Sequence, residues 1–97
     1  MTNINIVYDD MYDDADIIAI PDILVSAIEA IGQEFLFWIP TTDDEKYWIY
    51  IDGKKCPIAE TRGFIDWLNS TYCKETEKAY IISQNTNYCP DYKIIEF

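Results

Sequence analysis

The chain contains no histidine, a single arginine (Arg62) and only three glycines among 97 residues. Without histidine it lacks the commonest general base and the Ser–His and Cys–His nucleophile pairings. No glycine-rich loop is present to cradle a phosphate. The three cysteines, Cys56, Cys73 and Cys89, are odd in number and show no Cys-x-x-Cys spacing. That excludes a disulfide framework and leaves a zinc site without its usual ligands. The cysteines are expected to be reduced and mostly buried, with a Cys73–Cys89 pair open in an oxidising setting. Two carboxylates across a cleft are the remaining route to hydrolysis, but so small a domain has little room for the cleft. No enzyme activity, metal or cofactor is therefore expected. No unbroken apolar run nears the roughly 18 residues of a membrane span. The first residues lack the basic start and small-residue cleavage site of a signal peptide. Cytoplasmic residence, away from the membrane, is the resulting expectation.

Basic residues are also missing from one half of the chain. Residues 1–45 hold eleven acids and neither lysine nor arginine, whereas residues 46–97 hold seven of each sign. The whole net charge of −11 thus lies in the first half. Such a field repels nucleic acid, whose binding depends on lysine and arginine, and steers the chain toward basic surfaces. Acidity also serves solubility alone, and a solvated acidic face is the plainer reading.

What the chain does contain is apolar and aromatic: 49% hydrophobic and 15% aromatic residues, enough for one folded domain spanning residues 1–97. Residues 35–39 (Phe-Leu-Phe-Trp-Ile) and 47–51 (Tyr-Trp-Ile-Tyr-Ile) have the composition of strands. Pro40, Asp43, Asp44 and Glu45 lie between them. The two runs are expected to pair as the centre of a sheet, bringing Trp38 and Trp48 onto neighbouring strands. Residues 3–8 alternate as a first strand, with Ile4, Ile6 and Tyr8 on one face. Pro21 and Asp22 suit a helix start, and Leu24, Ala27, Ile28 and Ile31 form its stripe up to a stop at Gly32. Asp52-Gly53 marks a tight turn. A second helix is expected from about 60 to 72, then strands at 79–83 and 92–97. The order β-α-β-β-α-β-β predicts an α+β fold. Its two helices would pack on one face of a four- to five-stranded, mostly antiparallel sheet. The first six elements follow the order of a ferredoxin-like split β-α-β.

The candidate site is the acidic run Asp9, Asp10, Tyr12, Asp13, Asp14 and Asp16, with Asp43, Asp44, Glu45 and Trp48 as a second group. Five aspartates in eight residues favour a loop. A calcium EF-hand would need Gly at the sixth and Glu at the twelfth position, and no start within the run provides them. An aromatic or methionine anchor (Tyr12, Met11) ringed by carboxylates has the make-up of an interaction hot spot. The same pair could pack beneath the loop as core.

In the Asp9–Asp16 run, in Asp43-Asp44-Glu45 and in the aromatic stretch of residues 35–51, the chain resembles small acidic immunity proteins of contact-dependent growth inhibition and related toxin systems. The resemblance implies a cytoplasmic protein that binds a cognate basic toxin domain, often a nuclease, and covers its active or substrate site. Phage-encoded anti-CRISPR proteins and DNA mimics share this profile. A long acidic face spaced like phosphates would favour mimicry; a compact acidic patch beside Trp and Tyr would favour immunity. A self-associating adaptor module, joined through a free strand edge or apolar sheet face, is the third expectation.

Overall fold

A computed structural model of the chain describes residues 1–9 and 12–97. The α+β class expected from the sequence holds. Four strands form the main sheet: β1 (Thr2–Val7), β2 (Ala15–Ile20), β5 (Tyr80–Thr86) and β6 (Lys93–Glu96), in the order β5-β2-β1-β6. β1–β2 and β2–β5 are antiparallel, whereas β6 runs parallel to β1. A separate two-stranded hairpin joins β3 (Trp48–Ile51) to β4 (Lys54–Pro57). Its turn is Asp52-Gly53, with φ of 50° and 79°, the left-handed pair that a two-residue hairpin turn requires. This sheet order departs from the ferredoxin-like arrangement suggested by the element sequence.

Helices α1 (Ile28–Trp38) and α2 (Thr61–Thr71) cover one face of the main sheet. Ile4 and Ile6 of β1, Ile18 and Ile20 of β2, and Ile95 of β6 meet Ile28, Ile31 and Phe35 of α1 and Phe64 and Leu68 of α2. Phe35 is the aromatic hub, with ring centroids 5.3 Å from both Phe64 and Trp67 and 5.7 Å from Phe97.

Residues 35–39 are therefore not a strand, and the central pair expected there does not form. Phe35 and Ile39 extend the buried stripe begun by Ile28 and Ile31, while Phe37 is 79% exposed. That is helical periodicity, and packing against the core outweighs the strand propensity of the aromatics. The helix is also shifted: Asp22–Ala27 forms a 3-10 turn, and α1 begins where a stop had been approached. Gly32 lies inside α1 facing the end of β6, where a Cβ would meet Phe97 at 3.6 Å and Ile95 at 3.9 Å, both ordinary contacts. The helical stretch Asp22–Thr41 spans twenty residues and is apolar enough, by length and composition, to cross a membrane. Asp22, Glu29 and Glu34 interrupt it, so it is not an unbroken apolar run. In this fold the stretch supplies core residues from Leu24 to Ile39.

The opposite sheet face carries Asn5, which is fully buried. Its Nδ2 donates to the carbonyls of Cys89 (2.9 Å) and Tyr92 (3.2 Å), and its Oδ1 accepts from the Cys89 N–H (2.9 Å). These bonds hold the segment between β5 and β6 over the sheet. The last strand is thus ordered by its pairing with β1 and by this clamp. The three cysteines are free and half-buried.

Candidate functional site

Asp9, Tyr12, Asp13 and Asp14 lie in the connection between β1 and β2 and are exposed. Asp10 and Met11 fall outside the described residues. Asp9 takes φ of 49°, tolerated by aspartate more readily than by most residues. Its N–H reaches the Phe97 carbonyl at 3.4 Å. The loop is thereby tied to the end of β6.

Tyr12 is the fixed point of this loop. Its hydroxyl donates to Glu96 Oε1 at 2.8 Å, its ring meets Tyr88 edge-on at 5.3 Å, and its carbonyl accepts from the Tyr88 N–H at 2.9 Å. It remains 37% exposed. An aromatic side chain held at its hydroxyl and its ring, on a backbone that is itself bonded, loses little further freedom on binding a partner. Tyr12, Glu96, Glu29 and Gln33 line a groove of about 580 Å³ between α1 and β6. The loop carboxylates and the groove thus share Tyr12 and Glu96.

Asp16 is placed differently. It is only 6% exposed, its Oδ2 accepts from Thr61 Oγ1 at 2.5 Å, and its Oδ1 accepts from the Asn85 N–H at 3.1 Å. Since the Thr61 hydroxyl donates to Asp16, the Tyr8 hydroxyl donates to Thr61, again at 2.5 Å. Burial pushes Tyr8 up to about 12, because the phenolate would be poorly solvated beside Asp16. The chain of bonds joins β1, β2, the start of α2 and β5. Asp16 is thus committed inside the fold and adds nothing to an outward-facing acidic surface.

The second group lies around another groove, lined by Asp44, Lys46, Asp66 and Trp38. Asp43 is exposed, but Asp44 and Glu45 are partly compensated. Lys46 Nζ is 3.8 Å from Asp44 and 3.7 Å from Asp66, and Lys55 Nζ is 3.2 Å from Glu45. Asp44 also accepts from the Lys46 N–H, capping a 3-10 turn. Trp48 is half-buried; its Nε1 donates to the Thr42 carbonyl at 2.8 Å, and Lys55 lies 5.0 Å over its ring. Trp38 ends α1 rather than facing Trp48 across a sheet, and packs edge-on to Tyr47. The structure therefore keeps the two acidic groups on separate grooves.

Sequence reasoning missed Glu29, Tyr88, Ile94 and Glu96. Glu29 and Glu96 were legible only as members of a helix and a strand, and neither stands in an acidic run. Among the described residues no three Cys, Asp or Glu side chains come together as a metal site. No protein-family model matches the chain, and it matches no curated protein and no solved structure.

Proposed function

We propose that this protein is a stoichiometric inhibitor of a basic enzyme, of the immunity-protein kind, which neutralises a cognate toxin, a nuclease by preference, by covering its active or substrate site. The observation that carries this reading is Tyr12, a fixed and partly exposed ring with Asp9, Asp13 and Asp14 on its loop and Glu96 bonded to its hydroxyl. Unpaired carboxylates steer a cationic partner and then pair with its Lys or Arg, while the ring supplies buried area. A phosphate-like mimic would need a long, unbroken row of charges. The acidity here falls into two groups, one of them shared with Lys46 and Lys55, which favours a compact inhibitory patch over nucleic-acid mimicry.

The test is capture from lysate of the source cell with wild-type protein and with Asp9, Asp13 and Asp14 changed to Asn, at low and high salt. The captured protein's own activity is then titrated with added wild-type protein. One basic enzyme, lost by the variant and silenced at one-to-one stoichiometry, is the expected result. A captured protein held equally by both baits, or one whose activity persists in excess inhibitor, overturns the reading.

A further inference from the structure

Among the described residues no strand pairs with the outer edge of β6. In an extended strand the N–H and C=O of one residue point to the same side, and successive residues alternate. Phe97 donates its N–H to the Val7 carbonyl (2.9 Å), and its carbonyl accepts from the Asp9 N–H (3.4 Å), so Phe97 faces β1. Ile95 and Lys93 face the same way, and the backbone groups of Ile94 and Glu96 face outward. Among the described residues the sheet ends at β6 on this side. The groove beside β6 is lined by Ile94, Ile95 and Glu96 of that strand, Glu29 and Gln33 of α1, and Tyr12 of the loop.

Building on the inhibitor reading, we infer that this groove takes an extended, Lys- or Arg-bearing segment of the partner as an added strand beside β6. Outward backbone groups supply the ladder and alternate side-chain positions supply the selectivity. The groove selects a basic occupant because Glu29 and Glu96 flank it and the nearby loop adds Asp13 and Asp14. Lys93, 3.9 Å from Glu29 and 3.3 Å from the Val25 carbonyl, partly compensates Glu29 and leaves Glu96, Asp13 and Asp14 as the carboxylates with no lysine or arginine partner among the described residues. A second copy of this chain would bring a like-charged edge to the same place, with −11 on each molecule. Repulsion therefore disfavours self-pairing here.

The probe is a fluorescein-labelled octapeptide alternating Lys and Val, compared with a counterpart in which every internal amide is N-methylated. Both carry the same charge, but only the first can donate to a strand. Anisotropy titrations would use wild type, Glu29→Lys and Ile94→Pro. The proline removes an outward-facing N–H and leaves the β1 ladder intact, the arrangement in which an edge strand tolerates it. Amide exchange of wild-type Ile94 and Glu96 gives a readout independent of any variant. Expected are at least tenfold tighter binding of the unmethylated peptide, a tenfold or greater loss in Ile94→Pro, and a severalfold loss in Glu29→Lys. Exchange at Ile94 and Glu96 should slow on binding. Equal binding of both peptides overturns strand addition yet leaves the acidic inhibitor surface standing. Failure of the unmethylated peptide to bind, or slowed exchange elsewhere only, also overturns it. The inhibitor reading itself fails only in the capture and titration test above.

Discussion

Thr61 is the residue whose loss should cost this fold most for the fewest atoms removed. It stands at the first position of α2, is 2% exposed, and joins Tyr8 to Asp16 through a single hydroxyl. Thr61→Val keeps the shape and removes that hydroxyl. Asp16 Oδ2, a charged acceptor, then loses its hydroxyl donor, worth about 1.5–3 kcal/mol, and the Tyr8 hydroxyl loses its acceptor, about 0.5–1.5 kcal/mol. The expected sum is about 3 kcal/mol. For a domain of about 100 residues each kcal/mol lowers Tm by roughly 4–8 °C, so a fall of about 12–24 °C should follow. Thr61→Ser keeps the hydroxyl and loses one buried methyl, about 1 kcal/mol. Urea unfolding at pH 7 followed by tryptophan fluorescence provides the comparison, with an unchanged m-value expected for all three proteins. If Val lies within about 0.5 kcal/mol of wild type, or Ser falls as far as Val, the bridging argument is refuted.

Four further outcomes follow from the same geometry. Tyr8 is raised to about 12 in the folded protein from 10 when unfolded, so its contribution is complete below pH 10 and is lost as pH rises through 12. Two units would amount to about 2.7 kcal/mol if unscreened; partial exposure reduces this to about 1–2 kcal/mol. The stability advantage of wild type over Tyr8→Phe should shrink by that amount between pH 10 and 12, and parallel pH profiles would count against it. Gly32→Ala should stabilise by about 0.5–1 kcal/mol, since the added Cβ finds only ordinary contacts in a helix interior, whereas Gly63→Ala should destabilise because its Cβ would lie 3.1 Å from the buried Tyr47 ring; melting curves should move in opposite directions. Asn5→Ala should cost about 2–4 kcal/mol by unpairing the Cys89 N–H and two carbonyls, with hydrogen exchange of residues 87–92 rising first. Lysine at both Asp13 and Asp14 should slow association with a basic partner about tenfold at low salt, with little change in stability, as stopped-flow mixing would report.

The balance between what could and could not be read from the chain follows from the range over which each signal acts. Alternation placed Ile4 and Ile6 in β1, and Asp52-Gly53 placed a hairpin turn, because both signals are local and unopposed. Residues 35–39 misled because aromatic and β-branched composition reports burial as much as strand. The spacing of Ile28, Ile31, Phe35 and Ile39 was the better guide, but it crosses Gly32, which reads as a stop until β6 is known to lie against it. The site divides in the same way. Asp13 and Asp14 are exposed as a run of aspartates predicts, since several charges cannot share one interior. Asp16 belongs to that run by sequence and to the core by structure, because β2 has already begun and strand alternation turns its side chain toward Thr61. Glu96 and Glu29 are distant in sequence and meet at one groove only through the parallel pairing of β6 with β1. No local pattern encodes that pairing. A charge count by halves therefore finds the acidic loop and overlooks the two glutamates that line the groove beside it.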